Sequence, residues 1–106
     1  MSGWAYLILA GILEIGFAST MKLTENFTKL IPTAIFIFFA ITSFYALTKA
    51  IESIPVGTAY AIWTGMGAFG TIIVGIYFYN EPAGTLRLFF LFTLVASIVG
   101  LKLVSY

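Results

Sequence analysis

The chain has 106 residues, of which 61% are hydrophobic and only 8% are charged, and its formal net charge at pH 7 is +1. Soluble domains average about 25% charged residues, so this composition excludes an ordinary soluble domain. It also argues against a nucleic-acid binder, because the Lys and Arg residues are scattered singly and form no basic patch.

Four apolar segments follow one another, separated by short polar stretches. A helix that spans a bilayer needs about 20 apolar residues at 1.5 Å each, and each segment is of about that length. Helices are favoured over open strands because backbone groups in lipid must be paired within the segment. We therefore predict an all-α membrane protein, with residues 1–106 forming one four-helix transmembrane domain. The predicted spans are residues 3–22, 30–48, 56–79 and 86–104.

Span one carries the most informative residue, Glu14, in a stretch that has no other charge from Met1 to Thr20. Glu14 lies near the predicted middle of the bilayer, where a charge costs about 2.5–3.5 kcal/mol on insertion scales. Ala10 and Ala18 share its helix face and leave room beside the carboxyl group. Because removal from water disfavours the ionised form, we predict that Glu14 binds a proton or a cation in competition. The alternative is a protonated, hydrogen-bonded side chain that only fixes helix packing.

Spans two and three contribute the polar and aromatic groups expected around this carboxyl group. Ser43 in span two is a candidate donor to Glu14 or to a substrate, although helical Ser also bonds to its own backbone. Tyr60 and Trp63 are three residues apart in span three, so they share a face and offer π surfaces to a cation. The alternative for these two rings is an aromatic belt at the membrane interface.

Residues 65–70 read Gly-Met-Gly-Ala-Phe-Gly, which is a GxGxxG pattern. We reject a dinucleotide site, because that fingerprint requires a preceding strand and a βαβ unit. Gly65, Gly67 and Gly70 instead predict a flexible or kinked segment of span three that would suit a moving gate. Close packing of helices is the alternative.

The charges at the ends of the spans bear on orientation. With helices alternating in direction, Lys22, Lys29 and Arg87 lie on one side of the membrane, and Lys49 and Lys102 on the other. Such a small difference gives the positive-inside rule no clear answer, so we predict insertion in both orientations. A single orientation set by other features is the alternative.

Assembly is expected because four helices are too few to enclose a roomy polar cavity. Oppositely inserted copies would pair as an antiparallel dimer, which is similar to the inverted repeats of larger transporters. Ala96 and Gly100, four residues apart in span four, form a small-residue stripe and are the predicted dimer contact.

Residues 55–65 read Pro-Val-Gly-Thr-Ala-Tyr-Ala-Ile-Trp-Thr-Gly. With Glu14, its spacing to Lys22, and Gly-Leu-Lys at 100–102, this block resembles the small multidrug resistance family over nearly the whole chain. The resemblance implies an antiparallel dimer that exchanges protons for cations across the bacterial plasma membrane. It also implies that Glu14 is the shared proton and cation site.

By the same resemblance, Tyr60 and Trp63 line the cavity. Ser43 and residues 64–68 look like the guanidinium-exporter branch, in which the counterpart of Ser43 helps to orient the glutamate. Phe17, a further cavity residue, stands where that branch usually has Trp. The Phe ring is smaller than the indole of Trp and has no N–H donor, so the range of substrates stays open.

The resulting prediction is a proton-coupled exporter of small organic cations, most of all guanidinium compounds, whose planar N–H groups suit a carboxylate. The alternatives are an exporter of quaternary ammonium or polyaromatic cations, a small dual-topology ion channel, and a non-transporting assembly subunit. The expected partner is an identical copy, with a heterodimer of paralogous chains as the alternative. We expect no enzyme, cofactor or metal, because His and Cys are absent and one acid makes no catalytic set.

Overall fold

The computed structural model describes residues 2–104. By length and composition, each of its four helices is able to cross a membrane. Their bounds differ from the predicted spans by at most two residues at either end, so the prediction of four spanning helices is confirmed. The helices are α1 (Gly3–Met21), α2 (Leu30–Ala50), α3 (Val56–Phe78) and α4 (Thr85–Val104).

The helix ends follow from local capping chemistry. Ser2 begins α1 as an N-cap, its hydroxyl accepting a hydrogen bond of 3.1 Å from the amide of Ala5. A 3₁₀ turn over Lys22–Thr24 extends α1, and the buried Thr24 hydroxyl donates to the Met21 carbonyl at 2.7 Å. Pro55 directly precedes α3, where its missing N–H leaves no helical hydrogen bond unmade.

Within the described residues, α1 packs against both α2 and α3, whereas the backbone of α4 comes close only to that of α3. The seam between α1 and α2 is lined by small buried residues, among them Ala10, Ala46 and Ala50, which allow the helix backbones to approach closely. The core therefore belongs to α1, α2 and α3, and α4 is attached at one side. The buried residues of this core are Leu7, Ala10, Ala46, Ala50, Ile54, Ala59, Ile62 and Trp63.

Two contacts between a Lys and an aromatic ring show how the helix ends meet. The Lys22 Nζ lies 4.8 Å from the ring centre of Tyr79, joining the end of α1 to the end of α3. The Lys102 Nζ lies 4.9 Å from the ring centre of Trp4, at the start of α1 and the end of α4. The helices therefore alternate in direction, as their short loops predict.

Large apolar side chains cover the outside of the molecule, and Leu30, Phe78 and Leu103 are 84%, 77% and 79% exposed. A water-soluble chain rarely leaves such a continuous apolar surface uncovered, whereas hydrocarbon solvates it well. The chain is thus a multi-pass membrane protein. Its extents of 42 × 34 × 18 Å leave a short dimension of fewer than two helix diameters, each of about 10–12 Å.

Candidate functional site

Glu14 lies in the middle of α1 and points toward α3. Its carboxyl group occupies the space beside Gly67, so closely that a Cβ atom at Gly67 would overlap it. The Oε2 atom of Glu14 is buried and has no hydrogen-bond partner within residues 2–104. The ion pairs described there all join other carboxylates to Lys or Arg. This oxygen atom therefore keeps its capacity to accept a hydrogen bond.

Four rings, Phe17, Phe44, Tyr60 and Trp63, form what we call the aromatic cluster. Trp63 is its centre, with ring centroids 6.5 Å from Phe17, 5.3 Å from Phe44 and 5.6 Å from Tyr60. Trp63 is only 5% exposed, whereas Tyr60 is 59% exposed, so the cluster extends from the core to the outer face of the chain.

The aromatic cluster lies close to Glu14 along α1 and α3, two of the three helices that carry its rings. Trp63 is one helical turn before Gly67 on α3, and Phe17 is three residues after Glu14 on α1. A cation held at the carboxyl group would therefore lie beside π faces, which attract positive charge. The structure brings together the predicted residues Glu14, Phe17, Tyr60 and Trp63.

Ser43 connects three helices by hydrogen bonds. Trp63 Nε1 on α3 donates to Ser43 Oγ at 3.0 Å, and Ser43 Oγ on α2 donates to the Ala10 carbonyl on α1 at 2.7 Å. The Ala10 carbonyl is also the helical acceptor for the amide of Glu14, four residues later. The one hydroxyl hydrogen of Ser43 thus goes to the α1 backbone, and Ser43 positions the helical turn that carries Glu14.

The glycines of the GxGxxG pattern lie in an unbroken helix, since α3 runs continuously over Val56–Phe78. A Cβ at Gly65 would lie 2.9 Å from Ile98 of α4, and one at Gly70 would overlap Ile15 of α1. Together with Gly67, they let α1 and α4 approach α3 from two sides. A gating movement at these glycines stays a prediction.

The predicted dimer stripe faces away from the rest of the chain. Ala96 is exposed, and a Cβ at Gly100 would have no heavy atom within 4 Å. With Ala96 exposed and free space beside Gly100, the stripe is accessible to a second copy. Its role as a dimer contact stays a prediction.

Sequence reasoning missed two members of the site. Phe44 joins the aromatic cluster, with its ring 6.0 Å from that of Phe17, and no spacing within α2 distinguishes it from the other phenylalanines there. The second is the Ala10 carbonyl, which accepts the hydrogen bond from Ser43. The only sign of its role in the sequence was its position four residues before Glu14. No group of three or more His, Cys, Asp or Glu side chains suited to a metal ion occurs in the described part.

The site thus offers one acid, one serine hydroxyl engaged in hydrogen bonds, and four rings, which suits reversible binding of a proton or a monovalent organic cation. Comparison with known proteins agrees with this chemistry. Residues 2–94 match the model of the Small Multidrug Resistance protein family.

Three relatives match nearly end to end. The guanidinium exporter of Proteus vulgaris is 48% identical over 102 residues, which cover 96% of this chain and 98% of that protein. The guanidinium exporter of Citrobacter freundii is 46% identical over 103 residues, or 97% and 98% of the two chains. That of Escherichia coli (strain K12) is 44% identical, with the same coverage. Sequence, fold and site agree, and the chain belongs to the small multidrug resistance family.

Proposed function

We propose that this chain exports small organic cations, guanidinium foremost, in exchange for protons. The observation that carries the proposal is the buried, unpartnered Oε2 atom of Glu14 beside the aromatic cluster. The names of the three relatives, all guanidinium exporters, support guanidinium as the substrate. We place the protein in the bacterial plasma membrane, as an antiparallel dimer of identical chains.

The coupling follows from the chemistry of one carboxyl group. A buried carboxylate without a hydrogen-bond partner costs at least about 1–3 kcal/mol; a proton lowers this cost by removing the charge, and a cation lowers it by pairing with the charge. Guanidinium donates two parallel N–H bonds to a carboxylate, and its flat face stacks on aromatic rings. Because a proton and guanidinium use the same oxygen atoms of Glu14, the binding of one expels the other.

A second copy is needed to close the site. Phe44 and Tyr60 are 50% and 59% exposed, so the aromatic cluster is open at the face of the single chain. The short dimension of 18 Å is too small for helices to surround a cavity on all sides. An oppositely inserted copy would cover this face and bring a second Glu14, and exchange of conformation between the copies would open the site to each side in turn.

Proton release from detergent-solubilised protein in weak buffer tests the proposal. Guanidinium chloride should release protons in a saturable manner, measured with a pH-sensitive dye, and sodium chloride of equal ionic strength should not. The Glu14→Gln variant, of nearly the same size, should release none. No release from the unmodified chain, or equal release from Glu14→Gln, would refute proton exchange at Glu14.

A second candidate substrate is a quaternary ammonium cation. The rings of Phe17 and Phe44 have no hydrogen-bond donor, and the N–H of Trp63 is already bonded to Ser43. Apart from the Tyr60 hydroxyl, such a surface recognises charge without directional hydrogen bonds, and this is how aromatic cages bind quaternary ammonium groups. Titration with tetramethylammonium beside guanidinium, with proton release as the signal, would rank the two substrates.

A further inference from the structure

A groove separates α1 from α4. The backbones of these two helices do not approach each other within residues 2–104, because each packs on α3. The groove between them has a volume of about 210 Å³, and α3 contributes Ile62 and Met66 to it. Apart from Lys102, its lining residues are all hydrophobic. It is separate from the carboxyl group of Glu14, which is not among the lining residues.

One end of the groove lies where the chain would meet the membrane surface. Trp4 in the first turn of α1 and Lys102 in the last turn of α4 both line it, with the Lys102 Nζ 4.9 Å from the Trp4 ring centre. Trp and Lys concentrate at this depth, where an apolar stem lies in hydrocarbon and a polar tip reaches the headgroups.

The other end reaches toward the middle of the membrane. Met66, a lining residue, covers Gly11 of α1, seven residues after Trp4. At 1.5 Å per residue, the groove is about 10 Å deep, which is within the half-thickness of about 15 Å of a bilayer core. The groove is therefore apolar, runs along the membrane normal and has the Lys102 ammonium group at its outer end.

Lys102 has no acidic side chain to pair with. The chain has four acidic residues, of which Glu25, Glu52 and Glu81 form ion pairs with Lys29, Lys49 and Arg87. The fourth, Glu14, lies in the site. Lys102 itself forms no ion pair within residues 2–104.

We propose that this groove binds an acyl chain of an anionic phospholipid whose phosphate pairs with Lys102. In a second copy of the chain, the acidic side chains other than Glu14 would already be paired with Lys or Arg residues of that copy. The tail of a cationic substrate would bring its positive charge against that of Lys102, which is unfavourable. The lipid supplies both the apolar chain and the negative charge, and it would hold α4 at its distance from α1. This inference does not depend on which ion is transported.

The fluorescence of Trp4 tests the proposal in vesicles. The chain has two Trp residues, and Trp63 is 5% exposed within the aromatic cluster, so a lipid-borne quencher acts mainly on Trp4. The protein is reconstituted in phosphatidylcholine that contains increasing fractions of phosphatidylglycerol or of phosphatidylcholine, each brominated in its acyl chains. Half-quenching should need about fivefold less of the anionic lipid, the selectivity typical of one Lys near an anionic surface.

Two matched pairs of variants locate the site. Lys102→Gln should abolish the preference for the anionic lipid, whereas Lys49→Gln, on the same side of the membrane and paired with Glu52, should keep it. Val99→Phe should fill the groove and weaken quenching by both lipids. Val104→Phe, at an exposed position of α4 outside the groove, should not.

Three results would overturn the proposal. Equal quenching of the unmodified protein by the two lipids would show that the Lys102 charge does not select the lipid. A preference for the anionic lipid that persists in Lys102→Gln would show the same. Absence of quenching by either lipid would mean that protein covers the groove. Lys102 is exposed, so its replacement is expected to leave the fold intact, and the circular dichroism spectrum checks this.

Discussion

Replacing Gly67 with Ala tests the contact on which the site depends. The Cβ of the new residue would overlap the carboxyl carbon and Oε2 of Glu14, so the two groups cannot occupy their present positions together. Either the carboxyl group leaves the seam between α1 and α3, or the two helices move apart. Both changes alter the place where a cation or a proton binds.

The expected magnitude follows from two opposing terms. Adding a methyl group to a packed site costs about 1–3 kcal/mol, whereas Gly→Ala within a helix gains about 0.5–1 kcal/mol. The net free energy of unfolding should therefore fall by no more than about 2.5 kcal/mol, and the protein should still fold. Binding should suffer more, because a displaced carboxylate loses charged hydrogen bonds worth about 1.5–3 kcal/mol, which corresponds to about tenfold to hundredfold weaker guanidinium binding.

Isothermal titration of detergent-solubilised protein with guanidinium measures the change in Kd. Gly57→Ala is the matched control, because it lies in the same helix and its Cβ would have no heavy atom within 4 Å. A double variant that combines Gly67→Ala with Glu14→Asp sharpens the test. The acid shortened by one methylene should fit beside the added methyl group and recover part of the affinity.

Guanidinium binding by Gly67→Ala that is as tight as binding by Gly57→Ala would refute the importance of this contact. So would an equal loss of affinity from Glu14→Asp in the presence and absence of the Gly67→Ala change, since the two positions would then be independent.

Three further results are expected. Because protons compete for Glu14, lowering the pH below its titration midpoint should raise the apparent Kd of guanidinium by about tenfold per pH unit, and a Kd that does not depend on pH would exclude competition. Ser43→Ala should leave the N–H of the buried Trp63 unpaired and lower the free energy of unfolding by about 1–3 kcal/mol, measured by denaturation in mixed micelles. The control is Thr42→Ala, a half-buried hydroxyl that donates only to carbonyls of its own helix. Phe17→Trp should reduce the space beside Trp63 and raise the ratio of guanidinium to tetramethylammonium affinity in competition titrations; an unchanged ratio would show that this ring does not select substrate.

The number and limits of the helices were predictable because a single chain segment in lipid can pair its backbone N–H and C=O groups only by forming a helix. Long uncharged runs had to form helices of membrane length, and the few charges had to mark their ends. Glu14 was predictable as the candidate site residue for the same reason, since an acid in so apolar a run is costly without a use, and its functional role stays a prediction.

The direction in which each helix faces was much less predictable. In a soluble helix a polar face marks the outside, but these helices are apolar on nearly every side, as the exposure of Phe38 and Ile41 on α2 illustrates. The small residues were the better signal, and Gly65 and Gly67 do lie where α3 meets its neighbours. The glycine pattern alone could not tell such packing from a kink.

The amino-acid sequence, together with the thickness and polarity of a bilayer, was sufficient to predict the four helices, the short loops and an acidic residue near the middle of the membrane. Only the folded chain brings Ser43 to the Ala10 carbonyl, 33 residues away, and sets the carboxyl group of Glu14 against Gly67. It also leaves α1 and α4 apart, with a groove between them. The reason is that span formation depends on hydrophobic length, a local property, whereas contacts between distant helices depend on the fit of side chains, which no single segment contains.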